Sequence, residues 1–372
     1  MKKKKEDLSC SRLGKVGGQA VLEGVMMRSG DRWCLAVRES GGGIAKRNGE
    51  YVSLRKKHKF CNIPIIRGVI NFVEMLKLSM SMLTASAEMI GIETDEPESK
   101  FEKWVNDKFG DKIMGVVTAI GSVLGIVVSV GLFIFLPTFV TKLILGENQA
   151  AGTFQPLRSL IEGVLKIAIF VLYIFLVGLM PDIKRTFRYH GAEHKSVACY
   201  EKGVDLTPEN AKPCTRFHPR CGTSFIFVML ILSIVIGIFI PFNDMPLLRT
   251  AAKILVLPIT VGLGFEFIMY AGRHNNVLVK ILSAPGLWMQ RLTTKEPDES
   301  MLEVAIAALK GAMPDEFPPD EAEEEAEDDP EKETEENPEE ETGSADNSTD
   351  AENEIPSSGE ENGPSGPDEN DA

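Results

Sequence analysis

Two histidines and a glutamate near the middle of the chain have the types and the spacing of a metal-binding motif. Residues 189–195 contain His-x-x-Glu-His, formed by His190, Glu193 and His194. On a helix the two histidines are four residues apart and project from one face, so that both imidazoles can bind one Zn²⁺ ion. Glu193, beside the second histidine, could hold or deprotonate a water molecule at that ion. The pattern predicts a metal site; the alternative is a helix end that carries two histidines against lipid headgroups.

Further candidate ligands lie close by in the sequence. Of the five histidines, three fall between residues 190 and 218; Cys199 and Cys214 lie in the same range, and Cys221 lies three residues beyond it. His218 or Cys221 could complete a site begun by the two motif histidines. Alternatively, Cys214, His218 and Cys221 form a separate structural site, or His218 begins a turn and the cysteines are inert.

Four apolar stretches are long enough to predict membrane-spanning helices. They cover about residues 113–140, 160–180, 224–240 and 251–271. The connection 181–223 is rich in Lys and Arg, whereas the other two connections between spans hold few. The positive-inside rule therefore predicts that this connection and both termini are cytoplasmic. All six cysteines fall on the predicted cytoplasmic side, which indicates thiols rather than disulfides.

One carboxylate inside a span relates the predicted membrane helices to the motif. Glu266 lies in the cytoplasmic half of the fourth span, and His190 follows the cytoplasmic end of the second. An ionisable residue within a span is costly and indicates a function. Glu266 is therefore predicted as a metal ligand or as a residue that lines the site. The alternative is a glutamate that is hydrogen-bonded within the bundle or hydrated near its surface.

The other segments define the predicted domain organisation. Residues 1–12 are a basic flexible N-terminus, and the Gly-rich residues 13–60 predict a small β-rich N-terminal cytoplasmic domain with strands at 19–27, 33–38 and 51–54. Residues 61–92 have the period of an amphipathic helix, which packs on the spans or lies in the interface. The four-span membrane domain covers 93–282 with its cytoplasmic motif loop 181–223, and residues 283–313 predict an interfacial anchor and a C-terminal helix.

Charge separates the C-terminal tail from the rest of the chain. The net charge is −14, but residues 314–372 hold 26 acidic residues and one lysine, Lys332. The remaining residues have 39 basic and 28 acidic side chains and are therefore basic. The tail has too few large apolar residues to offset its ordering entropy, which predicts a disordered acidic tail. The predicted fold class is mainly α, a polytopic helical membrane protein with about four transmembrane helices.

Four sequence motifs indicate a family. They are GGQAVLEGVMMR at 17–28, HGAEHK at 190–195, HPRCGTSF at 218–225 and PGLWMQ at 285–290. With these motifs the chain resembles the YqhQ-like bacterial membrane proteins, domain of unknown function 1385, over about residues 13–313. The resemblance implies a multi-pass protein of the bacterial inner (cytoplasmic) membrane. Because the family is described as predicted metal-dependent enzymes, it also implies a metal. It marks the motif positions without giving them roles: His190, Glu193, His194, His218 and Cys221.

These observations together predict a zinc site, or a site for another divalent transition metal, at the cytoplasmic membrane interface. His190 and His194 are the predicted ligands, Glu193 the general base, and Glu266, His218 or Cys221 completes the site. The predicted reaction is metal-assisted hydrolysis of a peptide or lipid-linked substrate. Membrane lipid and that substrate are the expected partners, and no nucleic acid is expected.

The sequence is also compatible with two other classes of function. The first is a non-enzymatic membrane scaffold or assembly factor with a closed, structural metal site. The second is a transporter, which is disfavoured because the spans show no obvious internal repeat.

Overall fold

A computed structural model describes residues 12–91, 111–145, 155–218, 221–242, 245–271 and 276–318. Residues 1–11 of the expected basic N-terminus and residues 319–372 of the expected acidic tail lie outside the described residues. Within the described ranges the chain is mainly helical with a small sheet in its N-terminal part, as predicted.

The sheet is an antiparallel meander of four strands. They are β1 Val16–Val21, β2 Gly24–Ser29, β3 Arg32–Arg38 and β4 Ile44–Glu50, and they pair in chain order. The strand predicted at 19–27 is therefore two strands, because the chain turns at Glu23, where φ is 49°. The strand predicted at 51–54 is wrong, since the fourth strand precedes it and a helical turn begins at Leu54.

Helices make up most of the remaining described chain. In chain order they are α1 Leu54–Lys57, α2 Ile66–Met89, α3 Asp111–Val130, α4 Leu136–Leu145, α5 Gln155–Val177, α6 Pro181–Glu201, α7 Pro208–Ala211, α8 Gly222–Gly237, α9 Pro246–Ala271, α10 Val277–Thr293 and α11 Glu299–Gly311. A short 3₁₀ turn, Lys59–Asn62, precedes α2, and the π-helical turn Gly131–Phe135 joins α3 to α4.

Three of the described helical stretches are long and apolar enough to cross a membrane. They are Ile120–Leu145, Gln155–Val177 and Pro246–Tyr270, which correspond to the first, second and fourth predicted spans. The third predicted span is helix α8, which is apolar but has 16 residues. At 1.5 Å per residue it is about 24 Å long, shorter than a hydrocarbon core of ~30 Å. The prediction of about four spans is thus corrected to three long helices and a shorter apolar one.

The sheet shares its core with helices from distant parts of the chain. Side chains alternate along a strand, so that Val25 and Met27 face one way and Met26 faces the other. The face with Met27 packs on α6 and α11, and the face with Met26 packs on α2. The β-rich segment is therefore covered on both sides by helices, and the described chain belongs to one compact unit.

Two predicted segments, the motif loop 181–223 and the anchor from residue 283, have different bounds in the structure. The expected motif loop 181–223 is largely helical, because α6 and α7 occupy most of it. The expected anchor begins earlier, since α10 starts at Val277 and packs on α8. Trp288 on α10 is 54% exposed, as an interfacial side chain would be. Helix α11 begins after Asp298, whose carboxylate accepts a hydrogen bond from the Met301 N–H at 3.0 Å.

Replacing Asp298 with alanine is expected to lower the free energy of unfolding by about 1 kcal/mol, because α11 loses its N-cap. Burial disfavours the ionised carboxyl, but hydrogen bonds from Ser300 and Met301 outweigh it and hold the pKa of Asp298 below its usual range. The stabilisation is therefore complete above the unfolded-state pKa of about 4 and is lost as the pH falls through the native-state pKa.

Thermal unfolding of the purified protein at several pH values measures this effect. The difference in Tm between the wild type and the Asp298→Ala variant is expected to be constant near neutral pH and to shrink below about pH 4. Glu299→Gln, in the exposed first turn of the same helix, weakens only an exposed ion pair with Lys212; it is the matched control and should change Tm little. A Tm difference that grows on acidification would contradict the assigned role of Asp298.

Candidate metal centre

Helix α6 carries the His-x-x-Glu-His motif into the interior of the protein. Its first half is largely exposed, whereas nearly every side chain from Tyr189 to Tyr200 is buried between the sheet and α11. A helix that is enclosed on all sides must bury its polar side chains together with its apolar ones. Glu193 and His194 are 6% and 2% exposed, so each of them needs a hydrogen-bond partner or a ligand.

Two glycines allow other segments to approach the motif closely. A Cβ atom added to Gly191 would lie 2.0 Å from the carbonyl oxygen of Lys295, in the segment that follows α10. A Cβ atom on Gly18 of β1 would lie 2.5 Å from the Met26 carbonyl oxygen and 3.1 Å from Cγ of Glu193. The absence of a side chain at these positions therefore brings the backbone of two distant segments against the motif.

The ligand atoms of His190, His194 and Cys221 converge on one point. One donor atom from each of the three residues lies within 4.8 Å of the other two. Nε2 of His190 is 3.3 Å from Sγ of Cys221, and the centroids of the two imidazole rings are 4.4 Å apart. The four-residue spacing on the helix places the two rings side by side, and the chain returns 27 residues later to supply the thiol.

The outer nitrogen of each imidazole is held by the backbone. Nδ1 of His190 is 3.0 Å from the carbonyl oxygen of Thr293, and Nδ1 of His194 is 2.6 Å from that of Arg216. A carbonyl oxygen can only accept, so Nδ1 is the donor in both contacts, and a neutral ring then has its lone pair on Nε2. Histidines that bind metals are typically oriented by such a hydrogen bond from the other ring nitrogen.

Cys221 lies in the segment that leads into helix α8. It is the residue before the first turn of α8, and the Thr223 hydroxyl lies 3.3 Å from its Sγ. Gln290 of α10, which is fully buried, holds the segment 218–224 in place. Its side chain accepts from the N–H of His218 and donates to the His218 carbonyl and to the Ser224 hydroxyl, at 2.8, 2.7 and 3.2 Å. The sequence indicates only that a glutamine lies in an apolar helix, and it gives no sign of these partners.

The carboxylate of Glu193 lies beside the same group of donors. Its Oε2 is 3.4 Å from Nε2 of His194 and 3.9 Å from Nε2 of His190. The structure therefore places the Glu193 carboxylate on the same side of the helix as both histidines. An oxygen in this position can accept a proton from a molecule bound between the rings or can itself bind a cation.

The three residues could hold a zinc ion. Two ligands bonded to one tetrahedral zinc at ~2.0–2.3 Å lie about 3.3–3.8 Å apart. The separation of His190 Nε2 and Cys221 Sγ is within this range, and the third donor, within 4.8 Å of both, would have to move by up to about 1 Å to bind the same ion. Imidazole and thiolate are ligands that zinc prefers, and a set of three protein ligands is typical of catalytic zinc sites.

Two other predicted ligands are placed with different partners. Nε2 of His218 lies 3.6 Å from a carboxylate oxygen of Glu201, two helical turns beyond His194, and its ring centroid is 5.7 Å from that of His194. Glu266 on α9 accepts hydrogen bonds from Nε and one Nη of Arg67, which lies in the first turn of α2. The structure therefore brings Glu193 and Cys221 to the motif histidines, but it does not include His218 or Glu266 in the group of three donors.

The glutamate of the first glycine-rich motif lies near α6 but is engaged in an ion pair. Glu23 accepts hydrogen bonds from the Arg185 guanidinium and, at 3.3 Å, from the Tyr189 hydroxyl. Burial and the nearby Glu23 carboxylate raise the pKa of Tyr189 to about 12, so its hydroxyl stays protonated and can donate. Glu23 thus fixes the β1–β2 turn to the helix that carries the motif.

The described cysteines differ in their surroundings. All of those described are free thiols, as predicted: Cys34, Cys61, Cys199, Cys214 and Cys221. Burial raises the pKa of Cys199 to about 11, and this thiol therefore stays protonated at neutral pH. Cys214 lies 3.6 Å from Nζ of Lys202, away from the imidazoles. Cys221 is the cysteine that the structure groups with the motif, which the spacing in the sequence could not decide.

The protein is mainly helical, three of its described helices are long and apolar enough to cross a membrane, and its buried helix α6 brings two imidazoles together with the thiol that precedes the apolar helix α8. Residues 63–315 match the family described as a protein of unknown function (DUF1385), and the chain belongs to this family. It is also similar to the uncharacterized protein YqhQ of Bacillus subtilis (strain 168). The two are 32% identical over 296 residues, which cover 78% of this chain and 89% of the relative.

These comparisons confirm the resemblance to the YqhQ-like proteins but not the activity that it implied. Neither the family description nor the name of the relative gives a metal, a substrate or a reaction. No solved structure matches the chain. A function therefore has to be inferred from the chemistry of the site.

Proposed function

We propose that this protein is a zinc-dependent hydrolase of the bacterial cytoplasmic membrane, with His190, His194 and Cys221 as the zinc ligands. One observation carries the proposal. Both imidazoles have Nδ1 tied to a backbone carbonyl, Nε2 of His190 lies 3.3 Å from Sγ of Cys221, and one donor atom from each of the three residues lies within 4.8 Å of the other two. This is the arrangement in which a metal-binding histidine is oriented before the metal arrives.

Glu193 is the proposed proton acceptor. When bound, zinc supplies a Lewis acid that polarises a carbonyl or phosphoryl oxygen and makes water a better nucleophile at neutral pH. The Glu193 carboxylate, within 3.9 Å of both Nε2 atoms, is close enough to take a proton from such a water molecule. Its burial against β1 excludes bulk water and keeps the carboxylate in one orientation.

The position of the site supports a membrane-derived substrate. Cys221 precedes the apolar helix α8, and α6 begins four residues after the long apolar helix α5 ends. A substrate with a lipid or an apolar peptide segment could therefore reach the site along the spans. The chain around the site is rich in Lys and Arg, which by the positive-inside rule supports a cytoplasmic location for it and for both termini.

A second candidate function rests on the burial of Glu193. Its Oε2 is near enough to both imidazoles to act as a fourth ligand, and four protein ligands would close the site. A closed site would stabilise the junction of α6, α8 and α10 and would favour a non-enzymatic membrane scaffold or assembly factor.

The Glu193→Gln variant separates the two candidates. If Glu193 is the proton acceptor, the variant is expected to retain zinc but to lose at least about 100-fold in turnover. Zinc is measured by elemental mass spectrometry on the purified full-length protein. Turnover is followed by mass spectrometry of membrane lipid extract and of a peptide library incubated with each protein. Glu201→Gln, a carboxylate on the same helix that faces His218, is the matched control and should retain both properties.

Each result of this experiment bears on the role of Glu193. Zinc retained by Glu193→Gln together with products formed by the wild type alone supports the hydrolase. Zinc lost from Glu193→Gln but not from Glu201→Gln would identify Glu193 as a ligand and favour the scaffold. Products that form equally with the wild type and Glu193→Gln would contradict its role as the proton acceptor.

A further inference from the structure

The lysine that follows the second motif histidine is buried, and the proposed reaction does not use it. Lys195 ends the motif HGAEHK and is 5% exposed. Lysine is almost never fully buried unless its ammonium has a partner, because removing that charge from water is costly. The contacts of the ammonium therefore indicate what this lysine does.

The Lys195 ammonium contacts two segments that are far apart in the sequence. Its Nζ donates a hydrogen bond to the Lys212 carbonyl at 2.6 Å and lies 2.9 Å from Oε2 of Glu296. Lys212 directly follows α7 and begins the connection to α8, whereas Glu296 lies in the connection between α10 and α11. One side chain of α6 therefore holds both connections against the motif helix.

The same two segments orient the imidazoles of the candidate metal centre. The carbonyl of Arg216, in the connection between α7 and α8, accepts from Nδ1 of His194 at 2.6 Å. The carbonyl of Thr293, the last residue of α10, accepts from Nδ1 of His190 at 3.0 Å. A side chain that holds both connections in place therefore also holds both carbonyls within reach of the imidazoles.

The two contacts of Lys195 differ in strength. The Glu296 side chain is 65% exposed, so water screens its ion pair with the lysine. The hydrogen bond to the Lys212 carbonyl has a charged donor that is largely buried, and it should therefore contribute more. Glu296 also lies 3.7 Å from a guanidinium nitrogen of Arg216, which joins the two connections to each other. Loss of the ammonium should therefore loosen both connections, and the one that carries Arg216 more than the other.

We propose that Lys195 is a positioning residue of the zinc site, which keeps the carbonyls of Arg216 and Thr293 aligned with the two imidazoles. This inference rests on the proposed function, because it assigns to Lys195 the support of the ligands His190 and His194. Lys195 acts through the two connections rather than on the reacting atoms. Loss of a partner that orients a metal-binding histidine typically weakens metal affinity by about 10- to 100-fold. Lys195→Met, which removes the ammonium at nearly constant volume, is therefore expected to weaken zinc binding at least about tenfold.

The test compares the purified full-length wild type and the Lys195→Met variant in detergent. Zinc affinity is measured by competition with a chromophoric chelator, and the visible absorption of the cobalt-loaded protein reports the geometry of the ligands. Hydrogen exchange of the zinc-free protein, followed by mass spectrometry, reports the order of residues 212–218 and 293–297. Exchange in Lys195→Met is expected to be faster in both segments, and more so in 212–218.

Two further variants test the role of the buried ammonium itself. Lys212→Met is the matched control, because it removes an exposed ammonium that pairs with Glu299 and keeps the backbone carbonyl that accepts from Lys195. It should match the wild type in zinc affinity and in hydrogen exchange. Lys195→Arg keeps a cationic donor on α6 and should recover most of the zinc affinity that Lys195→Met loses.

The outcomes separate a positioning role from a structural one. Faster exchange in both segments together with at least about tenfold weaker zinc binding supports the proposal. Equal zinc affinity in the wild type and a folded Lys195→Met protein overturns it. A lower Tm with an unchanged cobalt spectrum also overturns it, since Lys195 would then stabilise the fold alone.

Two remaining results are decided by other measurements. If Lys195→Met does not fold, Glu296→Gln removes one of the two contacts at an exposed position and is expected to weaken zinc binding about twofold to fivefold. Unchanged zinc affinity and unchanged exchange in Glu296→Gln would then overturn the proposal. A wild type that binds no zinc would overturn the proposed function and this inference with it, whereas a wild type that binds zinc as tightly as folded Lys195→Met overturns this inference alone.

Discussion

Simultaneous replacement of His190 and His194 by alanine is expected to reduce the zinc content of the purified protein to less than about a tenth of the wild-type value. The reason is the number of donors that remain. Three ligand atoms converge in the structure, and the double variant leaves only Sγ of Cys221. A single thiolate cannot hold zinc against dilution during purification, whereas three ligands that are already oriented can. Elemental mass spectrometry of protein prepared with added zinc gives the metal-to-protein ratio.

The matched controls are His218→Ala and Glu266→Gln, because the sequence predicted both residues as ligands. His218 faces Glu201 and Glu266 is paired with Arg67, so that both variants are expected to keep zinc near the wild-type ratio. The Cys221→Ser variant is expected to lie between the controls and the double variant, since two imidazoles remain. Undiminished zinc in the double variant would exclude this site. Loss of zinc from Glu266→Gln in a protein of unchanged Tm would show that Glu266 is a ligand after all.

The helix that carries the motif and the shared face of its two histidines can be predicted from the sequence, because both depend on local spacing. A four-residue separation fixes two imidazoles on one face wherever the helix lies, and long apolar runs identify spans by length alone. The apolar run 224–240 was the exception. Its composition suits a span, but the helix ends at Gly237, and nothing in the hydropathy of the run indicates that end.

The remaining parts of the site depend on contacts between distant segments, and for these the sequence gives little indication. The partners of the two Nδ1 atoms are the carbonyls of Thr293 and Arg216, and every residue has a carbonyl. The depth of Glu266 in its span led to its prediction as a metal ligand or site-lining residue, but the structure pairs it with Arg67. Arg67 belongs to a helix whose position relative to the spans could not be predicted. The choice among Cys221, His218 and Glu266 as the third ligand could not be made, because spacing in the sequence does not fix how separate helices meet.

The Gly191→Ala variant is expected to lose both stability and zinc through one added methyl group. The Cβ atom would lie 2.0 Å from the carbonyl oxygen of Lys295, a backbone atom that cannot rotate away. The segment after α10 is held against α6 by the hydrogen bond from the Lys295 N–H to the Phe187 carbonyl, at 2.9 Å. Relief of the clash must stretch this contact, at a cost of about 3 kcal/mol, which corresponds to a fall in Tm of roughly 5–10 °C.

The same displacement explains why zinc should be affected. Thr293, two residues before Lys295, accepts the hydrogen bond that orients the ring of His190. When the segment moves away from α6, this imidazole loses its fixed orientation, and loss of such a partner typically weakens metal affinity by about 10- to 100-fold.

Gly222→Ala is the matched control, because Gly222 is adjacent to Cys221 and a Cβ atom there has no neighbour within 4 Å among the described residues. Alanine also favours the first turn of α8. A Gly191→Ala protein with the Tm and zinc affinity of the Gly222→Ala control would contradict the close packing of the segment 293–297 on the motif helix. Since His190 depends on that segment for its orientation, the result would also remove the main support for a zinc site formed before the metal binds.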